Sequence, residues 1–431
     1  MGRSVLRPYM IIVVGPLRKR FEACGMMVGL VEGWEKAVGV TDKVGLVDGA
    51  EIIGKVAGVG KVAGSARVLG GDLVASTTFD PDDEYRPEPV PEPLPPAWLE
   101  GGLRIGIHAS IAGSHVNALE SAAKLGCTAL QIFSVNPRMW AGGAIAARIT
   151  EAEAKAFRDR REVLGLGPLV IHANYLINLA APAPMLRTRS IQSFHEELVR
   201  GIALGADFIV VHPGSCTDGK PEQAIRAVIE SVKQAVKRLQ PTSMRILIEN
   251  TAGMGNAVGS RLEEVGEIIA GLNAVGVGAC LDTAHLFAAG YDIRTPGGLE
   301  STVEMIDQTI GLHNVPVIHA NDSKIALGGR VDRHEHIGKG KIGAEAFRRI
   351  LTHPRFGASY PDGVPGRAFI AETPIDDPGD DRKNVAALWE LAGLSDRAPA
   401  GEKGYSMLTA AAKKKAAELA KAAGKKAKKK S

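Results

Sequence analysis

The chain has 431 residues, 45% of them hydrophobic and 23% charged, which allows one large domain or two or three small ones. No apolar run reaches the roughly 18 residues of a spanning helix, and Cys24, Cys127, Cys216 and Cys280 form neither a CxxC pair nor a disulfide-like framework, so a reducing cytoplasm is expected and a cysteine-based zinc site is not. The net charge of +4 is concentrated at one end: from Ala410 onward nine lysines face one glutamate, a net +8, and the rest of the chain is near −4.

Residues 1–78 are an N-terminal extension to which no function is assigned. Arg3 and Arg7 precede a short apolar run, Tyr9 to Val14, but Gly15-Pro16 breaks it and the signal-peptide reading is rejected. Val38 to Ser76 is rich in glycine, valine and alanine and repeats loosely at Lys55-Val56-Ala57-Gly58 and Lys61-Val62-Ala63-Gly64, too irregularly for a solenoid. Residues 79–102 are acidic and proline-rich, which reads as a semi-rigid linker.

From Leu103 a rhythm of short apolar runs begins. Strands are expected at Leu103–Ile107, Ala129–Phe133, Leu169–Ile171, Phe208–Val211, Arg245–Ile248, Val277–Leu281, Pro316–Ile318 and Ala368–Ala371. Helical spacing lies between them, as in Ile191, Phe194, Leu198 and Ile202, and in Ile225, Val228, Ile229, Val232, Val236 and Leu239. Gly126, Gly205 and Gly271 sit where helices should end. Eight strand–helix units predict a TIM (β/α)8 barrel over residues 103–394. An open doubly wound sheet would require a glycine-rich fingerprint after the first strand, and Gly106-Ile107-His108-Ala109-Ser110 is not one. Residues 395–431 form a lysine- and alanine-rich tail, expected to be disordered and able to touch a polyanion without folding.

Candidate metal donors stand at the ends of the expected strands. They are His172, His212, Glu249, the pair Asp282 and His285, then His319, the loop pair Asp332 and His334, and Glu372. From His172 to His319 the strand-end donors follow one another at intervals of 33 to 40 positions, one strand–helix unit each. In a barrel all would project from the carboxyl-end face, where barrel active sites form. The bland reading of Asp282 and His285 alone is a helix N-cap and an incidental histidine. Five histidines and four carboxylates placed by one rule exceed the needs of a single metal. Imidazole and carboxylate without thiolate suit zinc or manganese and not calcium. Such clusters serve in-line phosphoryl displacement, so metal-dependent hydrolysis of a phosphoester is the leading chemistry.

Several strings carry a resemblance. They are His172-Ala173-Asn174-Tyr175-Leu176-Ile177-Asn178-Leu179, His212-Pro213-Gly214, Glu249-Asn250-Thr251-Ala252-Gly253, Asp282-Thr283-Ala284-His285, His319-Ala320-Asn321-Asp322-Ser323-Lys324, Arg330-Val331-Asp332-Arg333-His334 and Glu372-Thr373. In this order they resemble the endonuclease IV family of apurinic/apyrimidinic endonucleases, over about Leu103 to Leu394. The resemblance implies three Zn2+ per chain, with Mn2+ an alternative at one site. His172, His212 and Glu249 would hold one ion. Glu249 would bridge, as the catalytic carboxylate, to a second ion held by Asp282, His319 and Glu372, and His285, Asp332 and His334 would hold the third.

The resemblance also implies the substrate: double-stranded DNA with an abasic site, cut 5′ to the lesion to leave a 3′-hydroxyl, with trimming of blocked 3′ ends. Arg138, Tyr175 and Leu176 would be the DNA-binding wedge residues. A monomer without membrane attachment is expected, its lysine tail on DNA phosphates. Pro137 and Met139 stand where some relatives carry glutamines, and Ala284 replaces a common cysteine. The competing readings are a sugar isomerase or epimerase barrel, which needs one or two metals and not the Asp332-Arg333-His334 loop, and a non-catalytic DNA-binding scaffold, which needs no complete ligand set.

Overall fold

The computed structural model describes residues 102–138, 140, 149–217, 220–237, 239, 242–357 and 367–397. The N-terminal extension, the linker up to residue 101 and the tail beyond Arg397 lie outside the described residues.

Eight parallel strands close into a barrel. In chain order they are β1 (Arg104–Ala109), β2 (Ala129–Phe133), β3 (Leu169–His172), β4 (Phe208–Val211), β5 (Arg245–Glu249), β6 (Gly278–Asp282), β7 (Val317–His319) and, after the short strands β8 (Asp322–Ser323) and β9 (His334–Glu335), β10 (Ala368–Ala371), which pairs back onto β1. The expected runs for β3, β5, β6 and β7 each stop one residue early, because the histidine or carboxylate that follows belongs to the ladder: His172 pairs in register with Phe133, Glu249 with Cys280, and Asp282 with His319.

Helices cover the outside, and their caps explain where they begin and end. α1 (His115–Lys124) starts at Ser114, whose side chain accepts from the Asn117 N–H. α2 (Glu151–Leu164) starts on a full capping box of Thr150 and Glu153. α3 (Pro184–Leu204) buries Ile191, Phe194 and Leu198 and ends on Gly205 at φ 69°, a left-handed turn that glycine adopts without strain. α4 (Pro221–Val236) buries Ile225, Val228, Val232 and Val236. α5 (Leu262–Gly271) departs from expectation at its end. Gly271 is its last helical residue rather than a cap, and a Cβ there would lie 2.5 Å from Ile229 Cδ1, so any larger residue would push the end of the Ile229 side chain aside. α6 (Thr283–Ala289), α7 (Pro296–Thr309), α8 (Ala344–Thr352) and α9 (Asp380–Leu391) complete the described α-helices.

The barrel interior shows how the strands aim their functional ends. Ala129, Val170, Val210, Leu247, Cys280, Val317, Ala368 and Ile370 form one fully buried cluster. Each larger aliphatic side chain buried this way contributes about 1.5–3 kcal/mol. Strand side chains alternate, so position i+2 points the same way one layer further toward the carboxyl end. Two residues beyond Val170, Val210, Leu247, Cys280, Val317 and Ile370 stand His172, His212, Glu249, Asp282, His319 and Glu372. The apolar layer therefore forms the floor of a polar one.

Candidate metal centre

The polar layer brings the candidate donors into ligand distance of one another. His172, His212 and Glu249 form one group, and Glu249, Asp282, His319 and Glu372 a second, each offering atoms within 4.8 Å of one another. Glu249 is shared, and its two oxygens divide the work. Oε2 lies 3.4 Å from His172 Nε2 and 3.2 Å from His212 Nε2, while Oε1 lies 2.9 Å from His319 Nδ1.

The third group stands beside these. His285 Nε2 is 3.3 Å from Asp332 Oδ2, and His334 Nε2 is 3.2 Å from Asp332 Oδ1. Asp282 also belongs with His285 and His334 by distance, its Oδ2 lying 3.5 Å from His334 Nε2. Asp282 thus faces two groups, which its strand-end position alone did not indicate. It is at the same time a helix cap, because its Oδ1 accepts the His285 N–H at 2.8 Å and starts α6. The bland reading of that pair is correct as far as it goes, and the cluster is added to it.

Three observations test whether these residues fit metal ions. First, the imidazoles are oriented from behind. Nδ1 of His172, His285 and His334 lies 2.8, 2.9 and 3.1 Å from the carbonyl oxygens of Ala173, Asn250 and Glu372. A carbonyl only accepts, so Nδ1 keeps a proton in every state and Nε2 is the nitrogen left to bind an ion. Second, Glu249 Oε2, His285 Nε2 and His334 Nε2 are buried without a hydrogen-bond partner, which costs about 1–3 kcal/mol each unless something else satisfies them. Third, the set is nitrogen and carboxylate only. Cys280 lies in the floor beneath, and burial pushes its thiol up to about 12, so it offers no thiolate. The residues fit zinc or a similar borderline ion.

The electrostatics agree. Burial alone would raise the Glu249 carboxyl, but the charges of His212 and His319 and hydrogen bonds from His172 and His319 hold it well below the usual carboxylate range. Burial would lower His285, but Asp282, Asp332 and Glu249 outweigh it and lift the ring to about 10. Without metal, protons on the histidines balance the carboxylates, and metal binding must displace them.

The expected wedge residues lie on loops of the same face. Arg138 follows β2 and is exposed, Tyr175 follows β3 and is 62% exposed, and Leu176 is half-buried. The Tyr175 ring meets Phe133 edge-on at 5.1 Å and tilts against His172 at 5.6 Å, so it stands at the rim of the cluster.

Two residues in this layer escaped the sequence reading. His108 and Gln131 occupy the same inward register, two beyond Gly106 and Ala129. His108 Nδ1 is 3.1 Å from Glu372 Oε1, and Gln131 reaches both Glu372 (2.5 Å) and His319 (2.8 Å). The signal was present in the spacing, since every strand-end donor follows an interior residue by two.

The family model of the xylose isomerase-like TIM barrel matches residues 119–390. The chain is 45% identical over 302 residues to a protein of Solibacter usitatus named "Probable endonuclease 4", covering 69% of this chain and 100% of that relative. A protein of the same name from Chloroflexus aurantiacus is 41% identical over 292 residues, covering 67% of this chain and 98% of the relative. Among solved structures, endonuclease IV of Thermus thermophilus superposes with a TM-score of 0.57 at 39% identity, over 67% of this chain and 98% of that one. A D-tagatose 3-epimerase-like protein superposes with a TM-score of 0.51 at 18% identity, over 68% of this chain and 98% of that one, a likeness of fold alone. With its closed barrel and ordered series of strand-end donors, the chain belongs to the endonuclease IV family of xylose isomerase-like TIM barrels.

Proposed function

We propose that the chain is a zinc-dependent DNA-repair endonuclease that hydrolyses the phosphodiester 5′ to an abasic site, leaves a 3′-hydroxyl and also trims blocked 3′ ends. The observation that carries the reading is the gathered donor set, in which His172, His285 and His334 have Nδ1 tied to carbonyls and Nε2 turned toward carboxylates. His172, His212 and Glu249 would hold one ion. Glu249, Asp282, His319 and Glu372 would hold a second, and His285, Asp332 and His334 a third, with Mn2+ an alternative at one of the three. When bound, the ions supply Lewis-acid charge to the phosphate and acidify water at neutral pH.

The protein's own groups do the placing. Glu249 keeps an oxygen on each of two groups, which fixes their separation. Asn250 Oδ1 accepts the Asp282 N–H at 2.7 Å and Asn321 Nδ2 donates to Asp282 Oδ2 at 2.6 Å, so the carboxylate shared between groups cannot turn. Tyr175, Arg138 and Leu176 enter the gap left by the missing base. An abasic site lacks one stacked partner, so opening it costs less than opening intact duplex, and this difference selects the lesion. The chain acts as a monomer in the cytoplasm, and the lysine tail adds phosphate contacts without reading bases.

The test is metal analysis of the purified chain together with cleavage of a duplex carrying one abasic analogue. Three ions per chain and a nick 5′ to the analogue are expected, lost on chelation and restored by Zn2+. A metal-loaded chain that leaves the abasic duplex intact would sink the reading.

A further inference from the structure

Gln131 is a buried amide inside the barrel, contributed by the middle of β2 and absent from the set of donors described above. Its two ends make different contacts. Nε2 lies 2.5 Å from Glu372 Oε1, and Oε1 lies 2.8 Å from His319 Nε2. The arrangement has only one consistent polarity. A carboxylate accepts and cannot donate, so the end facing Glu372 must be the NH2 group. The end facing His319 is then the carbonyl oxygen, which also only accepts. His319 Nε2 must therefore carry a proton in every state, and Nδ1 is the nitrogen left to bind an ion. Nδ1 faces the cluster, 2.9 Å from Glu249 Oε1 and 3.3 Å from Glu372 Oε2, and without metal it donates to these carboxylates.

His319 is thereby reversed relative to its neighbours. His172, His285 and His334 are set by backbone carbonyls on Nδ1 and present Nε2. His319 presents Nδ1, and among the described residues the group that meets its Nε2 is a side chain from β2, three strands round the barrel. The same amide occupies Glu372 Oε1 and so leaves Oε2 for the cluster, with His108 Nδ1 packed 3.0 Å from the Gln131 nitrogen.

We propose that Gln131 is a positioning residue for the second metal site, fixing both the tautomer of His319 and the free oxygen of Glu372. It rests on the metal-binding part of the reading above and goes beyond the ligand set. Groups that orient a metal ligand from behind are worth about 10–100-fold in metal affinity, which sets the expected effect.

The test compares the full chain with Gln131→Leu and Gln131→Glu by zinc competition against a chelator and by 15N NMR of labelled histidines. In the zinc-loaded wild-type chain the His319 ring is expected to carry its proton on Nε2 and none on Nδ1. Gln131→Leu removes both contacts. It should mix the two His319 tautomers and weaken one ion of the set about 10–100-fold while the others are retained. Gln131→Glu keeps an acceptor for His319 but sets a second carboxylate against Glu372. It should preserve the tautomer and still weaken the same ion, which keeps the proposal testable should the leucine variant fail to fold. A His319 proton on Nδ1 in the zinc-loaded wild type, or a Gln131→Glu chain that holds every ion as tightly as the wild type, would overturn it. Binding of metal without cleavage of abasic DNA would overturn the nuclease reading and leave this inference standing.

Discussion

Replacing the shared carboxylate is the most direct perturbation of the cluster. Glu249 is fully buried, and its two oxygens lie 3.4, 3.2 and 2.9 Å from nitrogens of His172, His212 and His319. Glu249→Gln keeps the shape but leaves one acceptor oxygen for two groups and turns an NH2 toward the other. A unit charge about 4 Å from another is worth about 4 kcal/mol at the effective dielectric of such sites. At about 1.36 kcal/mol per decade that is close to three decades of rate. The loss of a buried charged partner costs about 3–5 kcal/mol of folding stability, against a usual total of about 5–15. The variant should therefore fold, melt lower and cleave an abasic duplex about a thousandfold more slowly. Single-turnover cleavage of end-labelled duplex, with metal content measured on the same sample, reads both quantities. Cleavage within tenfold of wild type at an unchanged metal count would refute the bridging role.

Asp332→Ala should fold normally, because the side chain is 46% exposed, yet remove about one ion per chain and slow cleavage; an unchanged metal count would show that the third site is assigned wrongly. In chelator-stripped protein, burial favours the neutral ring of His285, but Asp282, Asp332 and Glu249 lift it to about 10. A raised folded value stabilises below the unfolded value of about 6.5 and is lost as pH rises through about 10, so the melting temperature of the stripped protein should fall across that window; a flat profile would contradict the charge balance inferred for the cluster. Truncation after Gly404 removes all nine lysines counted from Ala410. Each phosphate contact adds about −0.9 to the slope of log K against log salt, so binding to undamaged duplex should lose a few units of slope while saturated turnover holds; superimposable slopes would leave the tail as a solubility device.

What the sequence disclosed follows from period and length. Eight apolar runs at regular spacing were readable because each is a buried parallel strand four to six residues long or close to it, and a donor after six of the eight runs marked the carboxyl end. Gln131 and His108 were harder, since a glutamine inside an apolar run and a lone histidine are ordinary core residues until their register is known. The pairing of Gly106 with Ala129 puts both in the inward layer, and register is a property of two strands, not of one run. The double duty of Asp282 was illegible for a similar reason. Its place beside His334 depends on how a distant loop folds back, which no local pattern encodes.

That loop carries two candidate donors that no barrel strand supplies. After β7 the chain leaves the barrel at Ala320 and returns to α8 at Ala344, and it must deliver Asp332 and His334 to the cluster without a barrel strand to hold them. A two-stranded antiparallel piece, β8 (Asp322–Ser323) with β9 (His334–Glu335), ties its two limbs together. Asp322 locks the base. Its buried carboxylate accepts the backbone N–H groups of Ser323 at 2.8 Å, Gly340 at 2.9 Å, Ile342 at 3.0 Å and Gly343 at 3.2 Å. Burial pushes the Asp322 carboxyl up, and these donors pull the other way by favouring its charged form. A Cβ at Gly340 would lie 2.4 Å from Asp322 Oδ1, so the closeness of the lock requires glycine there. At the loop's outer edge Arg330 takes a left-handed backbone at φ 53°, held by its N–H on Ala288 O at 2.9 Å. A non-glycine residue in that region carries strain of about 1–3 kcal/mol, which persists only where the surroundings impose it. Two anchors, one at the base and one on α6, thus fix a segment that would otherwise be free at the point where it contributes two donors. A barrel with one or two metals can be built from strand ends alone. The third ion proposed above would need donors from a loop held as firmly as a strand, and residues 320–343 are held in that way.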